Sequence, residues 1–380
     1  MTRVVRFGVI GCGLMGREFA SAAARWLHLT DTRARPEIIA VCDLNPALTS
    51  WFSDNVPTVA HVTEDHRALL ANPDVEAVYC AVPHNLHHRM YPDILAAGKH
   101  LLGEKPFGID AAANAEIQAA IDAHPGLLVR CSSEMPFFPG AQKVIDFVLA
   151  GDLGEIIEVE AAFLHSSDLN PAKPINWKRM VEVNGAYGAM GDLGMHVVHV
   201  PLRLGWRPTR VSAALVNRFR TRPDGTGQLV PCETWDNATI TGHVEDEGGG
   251  FPLVLKTWRI APGHSNTWSL RVLGTRGSAW FTTQSPRQWQ WMTYSGGAQV
   301  WQTEDLGFQT LFPAITGGIF EFGFPDALQQ MWAAYLDELA GGDANGFHCV
   351  TPKEASDHHA ILTAALAAGT EGRVASVAYR

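Results

Sequence analysis

Val4-Val5-Arg6-Phe7-Gly8-Val9-Ile10-Gly11-Cys12-Gly13-Leu14-Met15-Gly16 decides how the chain is read. A short apolar run ends in Gly-x-Gly-x-x-Gly, and a helix-permissive segment, Arg17-Glu18-Phe19-Ala20-Ser21-Ala22, follows at once. Strand, tight turn and helix start in that order predict a dinucleotide-binding βαβ unit. Gly11 allows the turn, Gly13 lets a pyrophosphate approach the backbone, and Gly16 lets helix and strand pack closely. The unsatisfied N–H groups at the helix start, around Leu14 and Met15, would hold the phosphates.

The next apolar run, Glu37-Ile38-Ile39-Ala40-Val41-Cys42, ends in Asp43, 27 positions after Gly16. An acidic residue is expected about 20 positions on, where it accepts from the ribose hydroxyls of NAD and repels a 2′-phosphate. An irregular loop over 28–36 accounts for the excess. The bland alternative for Asp43 is a helix N-cap before Asn45-Pro46.

Strand and helix patterns then alternate. Strands are expected at 75–82, 100–104 and 127–131, and helices at 86–97 and 111–123, which predicts a parallel, doubly wound sheet. Ligands of such sheets bind beyond the carboxyl ends of the strands. Three segments leave those ends: 11–16, 82–87 and 104–107. After about residue 132 the texture changes. Repeated runs rich in Val, Thr, Trp and Phe between 209 and 310 predict a large, open, mostly antiparallel sheet with one face covered. Helices are expected at 141–150, 326–340 and 352–368. The domain expectation is 1–132 for cofactor binding and 133–380 for an α/β domain that binds substrate and mediates oligomerisation.

A chain of 380 residues accommodates two domains. Its net charge of −10 gives no electrostatic footprint for nucleic acid or an anionic membrane. No run reaches the ~18–20 apolar residues of a membrane span. Six scattered cysteines without a Cys-x-x-Cys pair point to a reduced, cytoplasmic protein.

Two places carry candidate chemistry. Glu104-Lys105-Pro106 follows a strand at its carboxyl end, which aims Lys105 at the crevice expected to hold a nicotinamide. Desolvation and the positive ring there would lower its pKa and let it exchange a proton with a substrate hydroxyl. A surface lysine before a proline is the alternative. The second place is Gly188-Ala189-Met190-Gly191-Asp192-Leu193-Gly194-Met195-His196-Val197-Val198-His199. Asp192 and His196 stand at i and i+4 and share a helix face. A carboxylate and an imidazole so placed can bind and deprotonate a polyhydroxylated substrate. A helix cap with a core histidine, or a metal site with His199, would use the same letters. With no further cluster of defined spacing, no metal is expected. His87, after Pro83 and His84, is placed to approach a cofactor from a helix start, whereas exposed helix-end positions are expected for His84 and His88. His358-His359 has no partner pattern, and no Gly-x-Ser-x-Gly elbow is present.

These motifs, in this order, resemble the Gfo/Idh/MocA oxidoreductases: Gly11-x-Gly13-x-x-Gly16, Pro83-His84-Asn85-Leu86-His87, the run from Ala97 through Glu104-Lys105-Pro106, and Asp192-x-x-x-His196. The resemblance runs from residue 4 to about 206 and more loosely to the end. It implies a Rossmann domain, a second α/β domain whose open sheet pairs subunits into homodimers or homotetramers, and oxidation or reduction of sugars and polyols with NAD or NADP. It further implies that Lys105 is the catalytic lysine, His196 a catalytic or orienting histidine, and Asp192 their substrate-binding partner. By the same resemblance Pro83, His84, His87 and Glu104 lie near the nicotinamide, and Trp177-Lys178 near the substrate. Departures from the pattern are Val82 for a common Thr, His199 for a frequent acid, and Ser133-Glu134-Met135-Pro136-Phe137 without its frequent Arg.

The combined expectation is an NAD-dependent oxidoreductase, with NADP disfavoured by Asp43, acting on a hydroxyl of a sugar, anhydrosugar or polyol. Two rivals remain: a glycoside hydrolase of the same fold that uses retained NAD and needs the same lysine and histidine, and a catalytically silent NAD-sensing regulator, which has little reason to keep Lys105, Asp192 and His196 together.

Overall fold

The apolar run at 4–10 lies in β1 (Arg3–Ile10), which is buried from Phe7 onward and passes through Gly11 to α1 (Leu14–Ala24). The computed structural model describes residues 2–379. Its backbone separates into two units. The first comprises the chain up to Gly108, Ala112–Phe137 and Phe308–Pro352, and the second comprises Ile109–Ala111, Phe138–Gly307 and the chain from Lys353.

In the first unit, β1 is followed by β2 (Ala34–Cys42), α2 (Pro46–Asn55), β3 (His61–Thr63), α3 (His66–Leu70), β4 (Ala77–Cys80), α4 (His87–Ala96), β5 (His100–Gly103), α5 (Ala111–Asp122) and β6 (Val129–Cys131). All six strands are parallel, in the order β3-β2-β1-β4-β5-β6. Both faces of such a sheet are covered, so its central strands carry uninterrupted apolar residues, as the fully buried Ala77–Cys80 do. The strand order reverses between β1 and β4, the switch point where an open parallel sheet receives its ligand.

The expected boundary at residue 132 put everything later into one domain, whereas Phe308–Pro352 clusters with the first unit. Its helix α9 (Phe324–Leu339; α6 to α8 are placed below) explains why. Trp332 packs against Phe19 and Tyr79 at centroid distances of 5.0 and 5.8 Å, and Tyr335 against Phe7 at 6.3 Å. The 3.6-residue period marks the helix, but nothing local says which surface will bury its aromatic stripe.

The second unit holds α6 (Pro139–Leu149), β7 (Ile156–His165), α7 (Val181–Asn184), α8 (Ala189–Arg203), β8 (Pro208–Val216), β9 (Thr221–Pro223), β10 (Leu229–Pro231), β11 (Asn237–Val244), β12 (Phe251–Trp258), β13 (Asn266–Gly274), β14 (Gly277–Thr282), β15 (Gln288–Thr293), β16 (Gln302–Asp305), α10 (Pro352–Glu371) and β17 (Ala375–Ser376). Nine strands run in the order β16-β15-β14-β13-β7-β12-β11-β8-β17, antiparallel apart from the β7–β12 pair, and β9 and β10 form a separate ribbon. Alternating burial along β12 and β14 shows one covered face. Helix α8, buried from Ala189 through Leu202, lies against β7, β11 and β12. The other face carries Lys256–Glu160 and Arg271–Glu158 ion pairs of 2.6 and 3.1 Å beside the part-exposed Trp280. All six cysteines are buried thiols. No helix among the described residues is long and apolar enough to cross a membrane.

Candidate active site

The glycine turn sits at the switch point and touches its neighbour directly. Gly11 has φ +93°, and a Cβ there would lie 2.4 Å from the carbonyl oxygen of Ala81, in the loop leaving β4. A Cβ on Gly16 would lie 2.4 Å from the Gly11 carbonyl oxygen, so the helix start presses on the turn. At Gly13 a Cβ would meet nothing within 4 Å, which leaves the backbone open to an approaching group. Gly13 is the N-cap of α1 and has no side chain of its own to cover the first-turn N–H groups of Leu14, Met15 and Gly16. These features fit a dinucleotide's pyrophosphate.

Asp43 follows β2 and binds the same turn. Its Oδ2 accepts from the Cys12 N–H at 2.8 Å and its Oδ1 from the Asn45 N–H at 2.9 Å. Each carboxylate oxygen keeps capacity for a further donor, such as a ribose hydroxyl. Asn45, not Asp43, caps α2 by accepting from Ala47 N–H at 3.1 Å. Burial and then Asp43 push the thiols of Cys12 and Cys42 up to about 12 and 11, so both stay neutral beside the site.

Pro83, His84 and His87 leave β4. The expectation of an exposed His84 is overturned. It is 4% exposed, because the turn from His84 to Leu86 lays its ring 5.6 Å from that of His87. His87 is fully buried and stacks on Tyr91 at 4.7 Å. Its Nδ1 accepts from the Gly108 N–H at 3.4 Å, which leaves Nε2 as the protonated nitrogen, donating to the Val82 carbonyl at 3.1 Å. The ring thus ties the β4 loop to the chain beyond Lys105-Pro106.

Glu104 faces inward. Its Oε1 accepts from Tyr79 Oη at 2.7 Å and Ser132 Oγ at 2.6 Å, and its carbonyl accepts from Tyr91 Oη at 2.7 Å. Lys105 follows it, half-buried, at the carboxyl end of β5. Glu134, beyond β6, is buried, and its carboxyl is pushed up to about 7 by burial and then by Glu104, with Lys105 pulling the other way. Tyr79, Ser132 and Glu134 were not singled out from sequence as site residues. Glu134 was visible only as a departure from the family's Arg.

In the second unit a short helical turn carries Trp177 and Lys178, started by Asn176, whose Oδ1 accepts from the Lys178 N–H at 3.0 Å. Lys178 Nζ lies 5.4 Å over the Trp177 ring and donates to both Asp192 oxygens at 3.1 Å. Asp192 stands in the first turn of α8, 1% exposed, where the helix dipole favours an anion. His196, one turn on, packs its ring edge-on to Phe163 at 5.2 Å, while its carbonyl accepts from Trp268 Nε1 at 2.8 Å. The expected i and i+4 pair is therefore on one helix.

Sequence reasoning missed what surrounds Asp192. Arg259, just after β12 and 5% exposed, pairs with Asp192 through Nη1, with Asp168 Oδ2 through Nε at 3.0 Å, and with Ser167 Oγ through Nη2 at 3.2 Å. Lys173 Nζ adds 3.0 Å to Asp168 Oδ1, and the buried Arg179 pairs with Asp236. Burial raises the Asp168 carboxyl, but Arg259 and Lys173 outweigh it and hold it at about 2. His199 Nε2 meets Arg203 Nη2 at 3.1 Å, and Arg203 pairs with Glu354. Among the described residues no group of three or more His, Cys, Asp or Glu is arranged for a metal.

The predicted site residues form two sets, one in each unit. Gly11, Gly13, Gly16 and Asp43 share one turn, and the loops bearing His84, His87 and Lys105 leave the adjacent strand ends. Trp177, Lys178, Asp192 and His196 form the other set. Residues 5–130 match the model of an oxidoreductase family with an NAD-binding Rossmann fold, and residues 141–280 match the Gfo/Idh/MocA C-terminal domain. Levoglucosan dehydrogenase of Pseudarthrobacter phenanthrenivorans is 25% identical over 83% of this chain and 81% of its own. Trans-1,2-dihydrobenzene-1,2-diol dehydrogenase of Mus musculus is 27% identical over 67% and 75%. A solved levoglucosan dehydrogenase in complex with NADH and L-sorbose superposes over 100% of both chains with a TM-score of 0.88 at 20% identity, a likeness of fold. The chain, NAD-binding Rossmann domain and second domain alike, belongs to the Gfo/Idh/MocA oxidoreductases.

Proposed function

We propose that the protein is an NAD-dependent dehydrogenase that oxidises a secondary hydroxyl of a sugar, anhydrosugar or polyol. The observation that carries this reading is the Asp192 carboxylate, buried, doubly held by cations and one helical turn from His196. A fixed anion beside an imidazole suits a ligand whose hydroxyls both donate and accept. Relatives that act on levoglucosan and on a dihydrodiol support the same substrate class.

The turn at Gly11–Gly16 and Asp43 would hold NAD, which supplies the acceptor for the substrate's hydride when bound. Lys105 takes the hydroxyl proton at Nζ, so that alcohol becomes ketone and one proton is released. Asp192 accepts a hydrogen bond from a neighbouring hydroxyl, and His196 orients the reacting one. His87 fixes the β4 loop through backbone contacts, and Glu104 braces the turn that bears Lys105. Asp43 favours NAD over NADP by accepting from ribose hydroxyls.

The open face of the nine-stranded sheet, with Trp280 among paired charges, is proposed as the surface joining subunits into a homodimer or homotetramer. The net charge of −10 supports a small-molecule partner over nucleic acid, and six buried thiols support a cytoplasmic setting. The test is NADH formation by the purified protein across levoglucosan, glucose, myo-inositol and other polyols, with NADP as control. Turnover with NAD on one of these is expected. NAD binding without turnover on any would overturn the reading, and sugar release from a glycoside without net NADH would replace it with hydrolysis.

A further inference from the structure

We propose that Arg259 is a positioning residue of this site: its guanidinium, clamped from the side opposite Asp192, sets the direction in which the Asp192 carboxylate is presented. The inference rests on the reading of Asp192 as the group that receives a substrate hydroxyl.

The backbone at Arg259 is held first. Its N–H donates to Asn237 Oδ1 at 3.0 Å, with a second bond to the Asp236 carbonyl at 3.0 Å, and the next N–H, of Ile260, also reaches Asn237 Oδ1 at 3.0 Å. The Arg259 carbonyl in turn accepts from the Asp168 N–H at 3.2 Å. Asp168 is therefore tied to Arg259 through the main chain as well as through the 3.0 Å side-chain bond. The planar guanidinium has three partners, Asp168 Oδ2 at Nε, Ser167 Oγ at Nη2 and Asp192 Oδ2 at Nη1. A rigid fork held at two corners leaves the third corner no rotation of its own.

Lys178 contrasts with it. It reaches the same carboxylate equidistantly, at 3.1 Å to each oxygen, from a flexible stem that is 30% exposed. A point charge equidistant from both oxygens supplies charge but little preference for how the carboxylate is turned. Arg259 binds Oδ2 alone, and so distinguishes the two oxygens. Ser167, Asp168 and Arg259 thus form a bracket whose reach to the site passes through Asp192, and the effect of Arg259 is on orientation.

The experiment uses the whole protein as Arg259→Lys, which keeps the charge and discards the fork, with Asp168→Asn as a second variant that loosens the fork and leaves Arg259 in place. Melting temperature, NADH affinity by fluorescence, levoglucosan oxidation kinetics and the crystal structure of each variant are compared with the native chain. The expected result for Arg259→Lys is a melting temperature within a few degrees of native, NADH affinity within about twofold, and kcat/KM lowered at least tenfold. The Asp192 carboxylate should be rotated in the crystal. Asp168→Asn should lower kcat/KM in the same direction by a smaller factor. A merely structural Arg259 predicts instead that stability and kcat/KM change together in Arg259→Lys, both staying near native or both falling. Such joint behaviour, or an unrotated Asp192 in both variants, would overturn the proposal. If the native protein oxidises neither levoglucosan nor any polyol, the substrate reading fails, and the crystallographic comparison still decides whether Arg259 positions Asp192.

Discussion

Asp43 is proposed to carry two loads that a single substitution separates: its carboxylate closes the glycine turn, and by the proposed function it also accepts from a ribose hydroxyl. In Asp43→Asn the side-chain shape is kept, but only one of the two terminal atoms can accept. Cys12 N–H at 2.8 Å and Asn45 N–H at 2.9 Å both need an acceptor, so one of them meets an NH2 group. Asn45 is exposed and can turn to water, whereas Cys12 is fully buried. The amide oxygen therefore stays on the buried Cys12 N–H and Asn45 turns to water, so Asp43→Asn is expected to keep most of its stability, whereas Asp43→Ala strands a buried donor at a cost of about 1–3 kcal/mol. Losing a charged acceptor for a ribose hydroxyl removes a further 1.5–3 kcal/mol or so from NAD binding, roughly a 10- to 100-fold weakening. NADP, whose 2′-phosphate the carboxylate repels, should lose far less, and the NAD/NADP preference should fall at least ~10-fold. Thermal melts of the apo protein and fluorescence titrations with NADH and NADPH measure both effects. An Asp43→Ala protein with native melting temperature would refute the turn-closing role, and an equal loss for both cofactors in Asp43→Asn would refute the ribose role.

Three further outcomes are expected. Lys105→Ala should lower turnover by at least ~10² while NADH still binds, in keeping with lost acid–base catalysis, and near-native turnover on the true substrate would remove Lys105 from its role. Glu134, raised from its ordinary 4.5 to about 7, binds a proton more tightly folded than unfolded. That contribution is fully present below about 4.5 and lost as pH rises through 7, a difference of about 3 kcal/mol. Glu134→Gln should therefore raise the melting temperature at pH 8 relative to native but not at pH 5, and a pH-independent difference would show that Glu134 does not titrate there. Asp168, lowered from 3.8 to about 2, has the opposite sign: its contribution of about 2 kcal/mol is present above 3.8 and lost as pH falls through 2. Urea melts of Asp168→Asn and native protein should converge as pH approaches 2, and parallel curves would count against the Arg259 and Lys173 pairing.

What was legible in the sequence is what is local. The apolar runs, the three glycines and the spacing of Asp192 from His196 each work within a few residues, so the parallel sheet, its turn and the helix-borne pair could be read in order. Asp43 was legible only to two alternatives, because a carboxylate before Asn45-Pro46 suits a cap as well as a ribose. The structure removes the cap, because Asn45 takes that place, and gives Asp43 a third partner, the Cys12 N–H, 31 residues upstream. His84 was misjudged for the opposite reason: a polar run after a proline reads as surface, yet the short turn buries it against His87. The second unit's charges were the least legible. Arg259 lies 67 residues from Asp192 and 91 from Asp168, and each looks alone like a solvated charge at a strand end. One signal was present. Asp168 and Arg259 each stand within three residues of the end of an apolar strand, β7 and β12, and those strands pair in parallel. Parallel neighbours deliver their carboxyl ends to the same edge, so two opposite charges placed there meet. The same rule that puts a cofactor at the ends of the first sheet's strands therefore gathers the charges that hold Asp192 at the ends of two strands in the second.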